Sequence, residues 1–89
     1  MKMTQHASTR QQQRGIPPIV IDLLIDYGCV ERAGSGTTTH YFNKEARRRL
    51  RAYVGQMSSQ IERYLDYYVI LSDDGSVITV APRNKKVSH

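Results

Sequence analysis

The chain has 89 residues, 39% of them hydrophobic, a formal net charge of +5, a pI of about 9.7 and a single cysteine. That is one domain, residues 1–89, with a small core, and it excludes an internal disulfide and a cysteine-built metal cluster. The longest apolar run, Ile19 to Ile25, is broken by Asp22 and too short to span a membrane, and the N-terminus lacks the apolar stretch of a secretory signal. A lone cysteine fits a reducing cytoplasm.

In chain order, residues 1–3 are expected to be loose, and Thr4 caps a first helix that runs to Gln13. Few apolar residues, mainly Met3 and Ala7, are available to hold it. Gly15 stops it and Pro17-Pro18 opens a second helix. There Ile16, Val20, Leu23, Leu24 and Tyr27 share one face, Asp22 and Asp26 face water, and Gly28 serves as the C-terminal glycine. Residues 29–33 and 37–42 read as a strand pair across Gly34-Ser35-Gly36. Asn43 caps a third helix over residues 44–54, with Ala46, Leu50, Tyr53 and Val54 on one face, and Gly55 breaks it. Ser58 or Ser59 starts a fourth, with Ile61, Tyr64 and Leu65 as its stripe.

Residues 67–71 and 77–81 flank Asp73-Asp74-Gly75-Ser76, a strong hairpin signal. Pairing Ser72 with Val77 puts Val69, Leu71, Ile78 and Val80 on an apolar face. Tyr68, Ile70, Thr79, Ala81 and Arg83 then occupy the other face. Residues 84–89 form a basic, loose tail. The expected fold is α+β: N-terminal helices and a four-stranded antiparallel sheet with two inserted helices, the sheet covered on one side.

A basic chain favours polyanions, nucleic acid first. His6, Arg10 and Arg14 fall within a helical arc of about 80°. Cleaving RNA without a metal needs a proton carrier for the ribose 2′-hydroxyl and cations for the phosphorane. Histidine titrates near neutrality and arginine forks onto phosphate, so this trio is chemically suited to the task. The same spacing also describes an ordinary solvated helix face.

Residues Thr4 to Ile16, Thr-Gln-His-Ala-Ser-Thr-Arg-Gln-Gln-Gln-Arg-Gly-Ile, resemble the opening of a bacterial domain-of-unknown-function family, number forty-two fifty-eight. Its members carry a His-Ala pair, an arginine and an Arg-Gly-Ile step, then an apolar helix ending like Leu23 to Gly28 here. They finish with a strand pair resembling residues 74–80. The likeness covers both ends of the chain and leaves out residues 34–66. That family is grouped with the RelE-like, ParE-like and barnase-like RNase toxins, which implies a four-stranded meander behind N-terminal helices. The resemblance implies His6 as general acid or base, Arg10 and Arg14 as phosphate holders, and Thr79 as a hydrogen-bond donor to phosphate or a positioner of His6. Arg83 follows in the same setting. It also implies a metal-independent endoribonuclease with no cofactor, acting on RNA in the cytoplasm. The partner implied is a small antitoxin or immunity protein.

The competing reading is a non-catalytic basic module that holds nucleic acid or a protein through Arg47, Arg48 and Arg51, with the basic tail. His40 is either a second proton carrier or a packed strand residue. Tyr64, Tyr67 and Tyr68 either stack on bases or fill the core and sheet. Asp73 and Asp74 belong to the turn, and Asp22 and Asp26 to a wet helix face.

Overall fold

The first helix, α1 (Gln5–Gln13), begins where the Thr4 hydroxyl accepts the Ala7 N–H at 3.2 Å. It ends in a Schellman motif. Gly15 takes a φ of +62°, its N–H reaches the Gln12 carbonyl, and the Ile16 N–H reaches Gln11. Ile16, just past the cap, is buried in the core. The computed structural model describes residues 2–83; the basic tail, residues 84–89, lies outside the described residues.

Helix α2 (Pro18–Tyr27) opens on Pro17-Pro18 as its sequence requires. Its buried side chains are Val20, Ile21 and Leu24, with Leu23 and Tyr27 half-buried at the edge. Ile21, absent from the expected face, is fully buried because α2 packs on more than one stripe, against strands as well as helices. Gly28 ends α2 for a different reason from the one expected. Its φ is −73°, so no left-handed turn is involved. A Cβ there would lie 2.6 Å from the Leu24 carbonyl oxygen and 2.8 Å from that of Tyr41. Glycine is needed because helix end and strand touch backbone to backbone.

The strands are β1 (Cys29–Arg32), β2 (Thr37–Tyr41), β3 (Tyr67–Ser72) and β4 (Val77–Pro82), in the spatial order β1-β2-β3-β4, all neighbours antiparallel. The α+β architecture with helices inserted between β2 and β3 is therefore as the residue pattern indicates. The insert comprises α3 (Lys44–Val54), capped by the Asn43 side chain, and α4 (Ser59–Glu62), capped by Ser58. The fourth helix is shorter than its apolar stripe suggests. After four residues it tightens into a 3-10 turn, Arg63–Asp66, which buries the adjacent Tyr64 and Leu65 and leaves the Asp66 carbonyl to accept the Arg83 N–H at 2.7 Å.

The last hairpin keeps the expected register from Tyr67–Pro82 to Ile70–Thr79, then departs from it. Leu71 faces Val77 where Ile78 was expected, so Val77–Ile78 is a β-bulge. The extra residue turns Val77 onto the core face beside Val80, and both are buried while Ile78 is half-buried. Val77 also donates its N–H to Lys2 and accepts the Thr4 N–H, a parallel bridge with Met3. Lys2 and Met3, expected to be loose, are thus tied to the sheet. The core gathers Ala7, α2, Phe42, Ala46, Leu50, Tyr64 and Leu65 over Val69, Val77 and Val80. Tyr53 and Val54, expected to share the buried face of α3, are exposed, and only Ala46 and Leu50 of that helix are buried in the core.

Replacing Gly28 with alanine should cost about 1–3 kcal/mol, the range for overpacking against atoms that cannot give way. Urea denaturation measures it, and an unchanged midpoint would mean that α2 and β2 can separate without loss.

Candidate functional site

Helix α1 lies on β4, the sheet's edge strand, and is fixed to it at both ends. At the N-terminal end the bridge around Val77 holds residues 2–4. At the C-terminal end the Arg14 guanidinium donates to the Val80 carbonyl at 2.7 Å. Between them Ala7 is fully buried against the core.

This geometry treats the three basic positions unequally. Residues four apart drift about 40° round a helix. Arg14 therefore lies nearest the direction of Ala7 and His6 farthest from it. Arg14 is accordingly half-buried and bonded to β4, whereas His6 and Arg10 are exposed, their side chains making no hydrogen bond or ion pair among the described residues. Arg14 spends one of its five N–H donors on closing the strand edge, so part of its role is structural.

Thr79 is half-buried on β4 and has no hydrogen bond to His6, Arg10 or Arg14. Val80 points into the core with Ala7, and alternation along the strand turns Thr79 to the opposite face. The α1 residues and Thr79 thus flank the edge strand from two sides and do not form one cluster.

The face that Thr79 shares is the sheet's open one. Tyr41, Tyr68 and Ala81 are neighbours across three strands, and Arg83 places its guanidinium 3.9 Å from the centre of the Tyr41 ring. The Tyr41 hydroxyl donates to Glu31. That hydrogen bond, then Cys29 and burial, raise the phenol's pKa, so it keeps its proton at neutral pH. Tyr41 escaped the sequence reading because only the β2–β3 register brings it beside Tyr68. Of the three tyrosines weighed for stacking, Tyr64 is buried and hydrogen-bonded to the Gly15 carbonyl, and Tyr67 packs edge-on against it. Only Tyr68 belongs to the open face.

His40 is packed: its Nε2 lies 3.0 Å from the Thr38 hydroxyl, and its buried Nδ1 has no hydrogen-bond partner of good geometry. It lines a cleft with Val30, Arg32 and Leu71, on the helix-covered face. Burial depresses its pKa, opposed by the Ile25 carbonyl. His40 is two strands from β4, roughly 10 Å at the usual spacing, with α1 beyond, so it cannot act jointly with His6 on one phosphate.

The arginines of α3 are engaged with carboxylates. Arg47 meets Asp66 at 2.6 Å, Arg48 meets Glu45 at 2.8 Å, and Arg51 meets Glu62 at 2.7 Å. These exposed pairs are weak and could exchange for phosphate. Even so, they lower the local positive excess on which a backbone-binding face depends. Asp74 likewise is spent locally: it accepts from the Ser72 hydroxyl and the Ser76 N–H, contacts that depress its pKa and fix the turn. No helix among the described residues is long and apolar enough to cross a membrane.

Replacing Arg14 with methionine should cost about 1–2 kcal/mol by orphaning the Val80 carbonyl, measured by chemical denaturation; an unchanged stability would free Arg14 for a wholly functional role. The depressed pKa of His40 gives a signed pH dependence. Below about pH 6.5 the unfolded chain binds a proton that the folded chain resists, so stability falls as the pH drops through that value. Melting curves from about pH 7 to about pH 5 should show the wild type losing more stability than His40→Gln, and parallel curves would contradict it. No family model, curated protein or solved structure matches this chain.

Proposed function

We propose that the protein is a metal-independent endoribonuclease that presents His6 and Arg10 on α1 to a phosphodiester of RNA. The observation that carries this reading is the fixing of α1 to β4 at both ends, while His6 and Arg10 stay exposed and unpaired among the described residues. A catalytic group gains from being held by a rigid element and free of competing bonds. In the proposed step His6 takes the proton of the ribose 2′-hydroxyl. The 2′-oxygen attacks phosphorus, the bond to the 5′-oxygen breaks, and that oxygen takes a proton from solvent. The products are a 2′,3′-cyclic phosphate and a 5′-hydroxyl. Arg10 offsets the charge that builds on the phosphorane oxygens. A chain with this activity needs restraint in its own cell, and a small inhibitor protein covering α1 is the partner the reading calls for.

A second reading has its own observation. Half-buried Tyr68 lies on the open sheet face of a basic chain, beside the exposed Arg83, which covers the buried Tyr41 ring. Such a surface holds single-stranded nucleic acid without cleaving it.

Incubating a mixed RNA pool with the protein in EDTA at low salt separates the two. On the nuclease reading, cyclic-phosphate ends form, His6→Ala slows their formation by about 100-fold or more, and Arg10→Ala slows it by about 10-fold. Because His6 is exposed, its stability should stay within about 0.5 kcal/mol of wild type. RNA binding without cleavage, insensitive to His6→Ala but lost in Tyr68→Ala or Arg83→Ala, would establish the binding reading instead.

A further inference from the structure

Four large hydrophobic side chains are exposed among the described residues, and three of them, Ile19 (54%), Tyr53 (73%) and Val54 (40%), lie together where α2 meets α3. Two apolar hollows form a shallow groove here, one at Tyr27 and Tyr53 and the other at Ile19, Leu23, Val54 and Met57. Ile19, Leu23 and Tyr27 form the α2 wall, and Tyr53, Val54 and Met57 face them. Ile19, Leu23 and Tyr27 are spaced four apart, so the wall follows one stripe of α2. The Tyr27 and Tyr53 ring centres lie 5.3 Å apart between the two walls. An exposed apolar surface of this kind on a small polar chain marks a contact that the monomer leaves unmade.

The charges beside the groove indicate what covers it. Asp22 and Asp26 border the α2 wall on the side away from α3, are exposed, and form no ion pair among the described residues. Arg49 borders the α3 side. Its ion pair is a loose one, 3.6 Å to Glu45, whose carboxylate is already held by Arg48 at 2.8 Å. One bank is thus acidic and the other basic. An acidic helix laid in the groove would meet Asp22 and Asp26, and a basic one would meet Arg49. A surface with opposite charge on its two banks satisfies both.

We propose that the occupant is a second copy of this chain, related by a two-fold axis running along the groove. That rotation sets the acidic bank of each copy against the basic bank of the other and stacks the two apolar floors. The contact is isologous and closes on itself as a dimer. The groove forms the interface core, and the paired banks supply register and specificity. This inference uses no part of the proposed RNA-directed site.

Sedimentation equilibrium across a wide concentration range tests it. The wild type should self-associate to a dimer with a dissociation constant on the order of micromolar. Tyr53→Glu should be monomeric with an unchanged circular dichroism spectrum, since Tyr53 is largely solvent-exposed. Asp26→Arg and Arg49→Asp should each weaken dimerisation at least tenfold, because each variant opposes like charges to itself. Mixing the two variants should restore a heterodimer, where both contacts are complementary again. A wild type that stays monomeric at the highest concentration overturns the proposal. So does a dimer that Tyr53→Glu leaves intact, or a mixture that fails to recover association.

Discussion

The free edge of β4 is the constraint around which the molecule is arranged. An edge strand exposes N–H and C=O groups to water and to other strands, and small domains must cover them. Here the chain's own N-terminus does so. Residues 2–4 bond to both backbone groups of Val77, the Arg14 side chain takes the Val80 carbonyl, and α1 spans the interval. The bulge at Val77–Ile78 makes this possible by presenting Val77 to the core and to the N-terminal segment together. Without that edge contact α1 would have only Ala7 and Met3 to hold it, too little for a nine-residue helix.

Much of this was legible in the residues. Caps, breakers and the Asp-Gly turn act over a few positions, so Thr4, Pro18, Asn43, Gly55 and Gly75 mark their boundaries from sequence alone. The two faces of the β3–β4 hairpin followed from alternation up to Thr79. What pattern could not supply were contacts set by tertiary approach. The bulge is invisible to a period of two. Gly28 reads as a helix-ending glycine, yet its φ is ordinary and the packing of α2 on β2 is what demands it. Tyr53 and Val54 fit the apolar stripe of α3, but a stripe says which residues could be buried and not whether a partner reaches them.

The candidate site shows the same division. Helical spacing correctly groups His6, Arg10 and Arg14 on one side of α1, but only the docked helix separates two exposed side chains from a third committed to the strand. The clustering of Arg47, Arg48 and Arg51 looked like a phosphate-binding face. Their carboxylate partners come from one turn away and from the far end of the insert, and two of the three cannot be anticipated by local spacing. Alternation along β3 and β4 puts Tyr68 and Arg83 on the open sheet face, but Tyr41 joins them only through the β2–β3 register, which no local pattern encodes.

The placement of the helical insert bears on how the protein reaches this state. The outer pairs, β1–β2 and β3–β4, close over turns of a few residues, whereas β2 and β3 meet only after the whole of α3, α4 and the 3-10 turn has been gathered between them. Closing about 25 residues in place of four costs roughly 1.6 kcal/mol more in chain entropy. The two hairpins can therefore zip independently on a fast timescale, and the central seam waits for the insert to compact. Asn43 and Ser58, which start its helices, shorten that effective loop before the seam closes. The segment between β2 and β3 thus adds its own closure entropy to the folding barrier, a cost the two local hairpins do not carry.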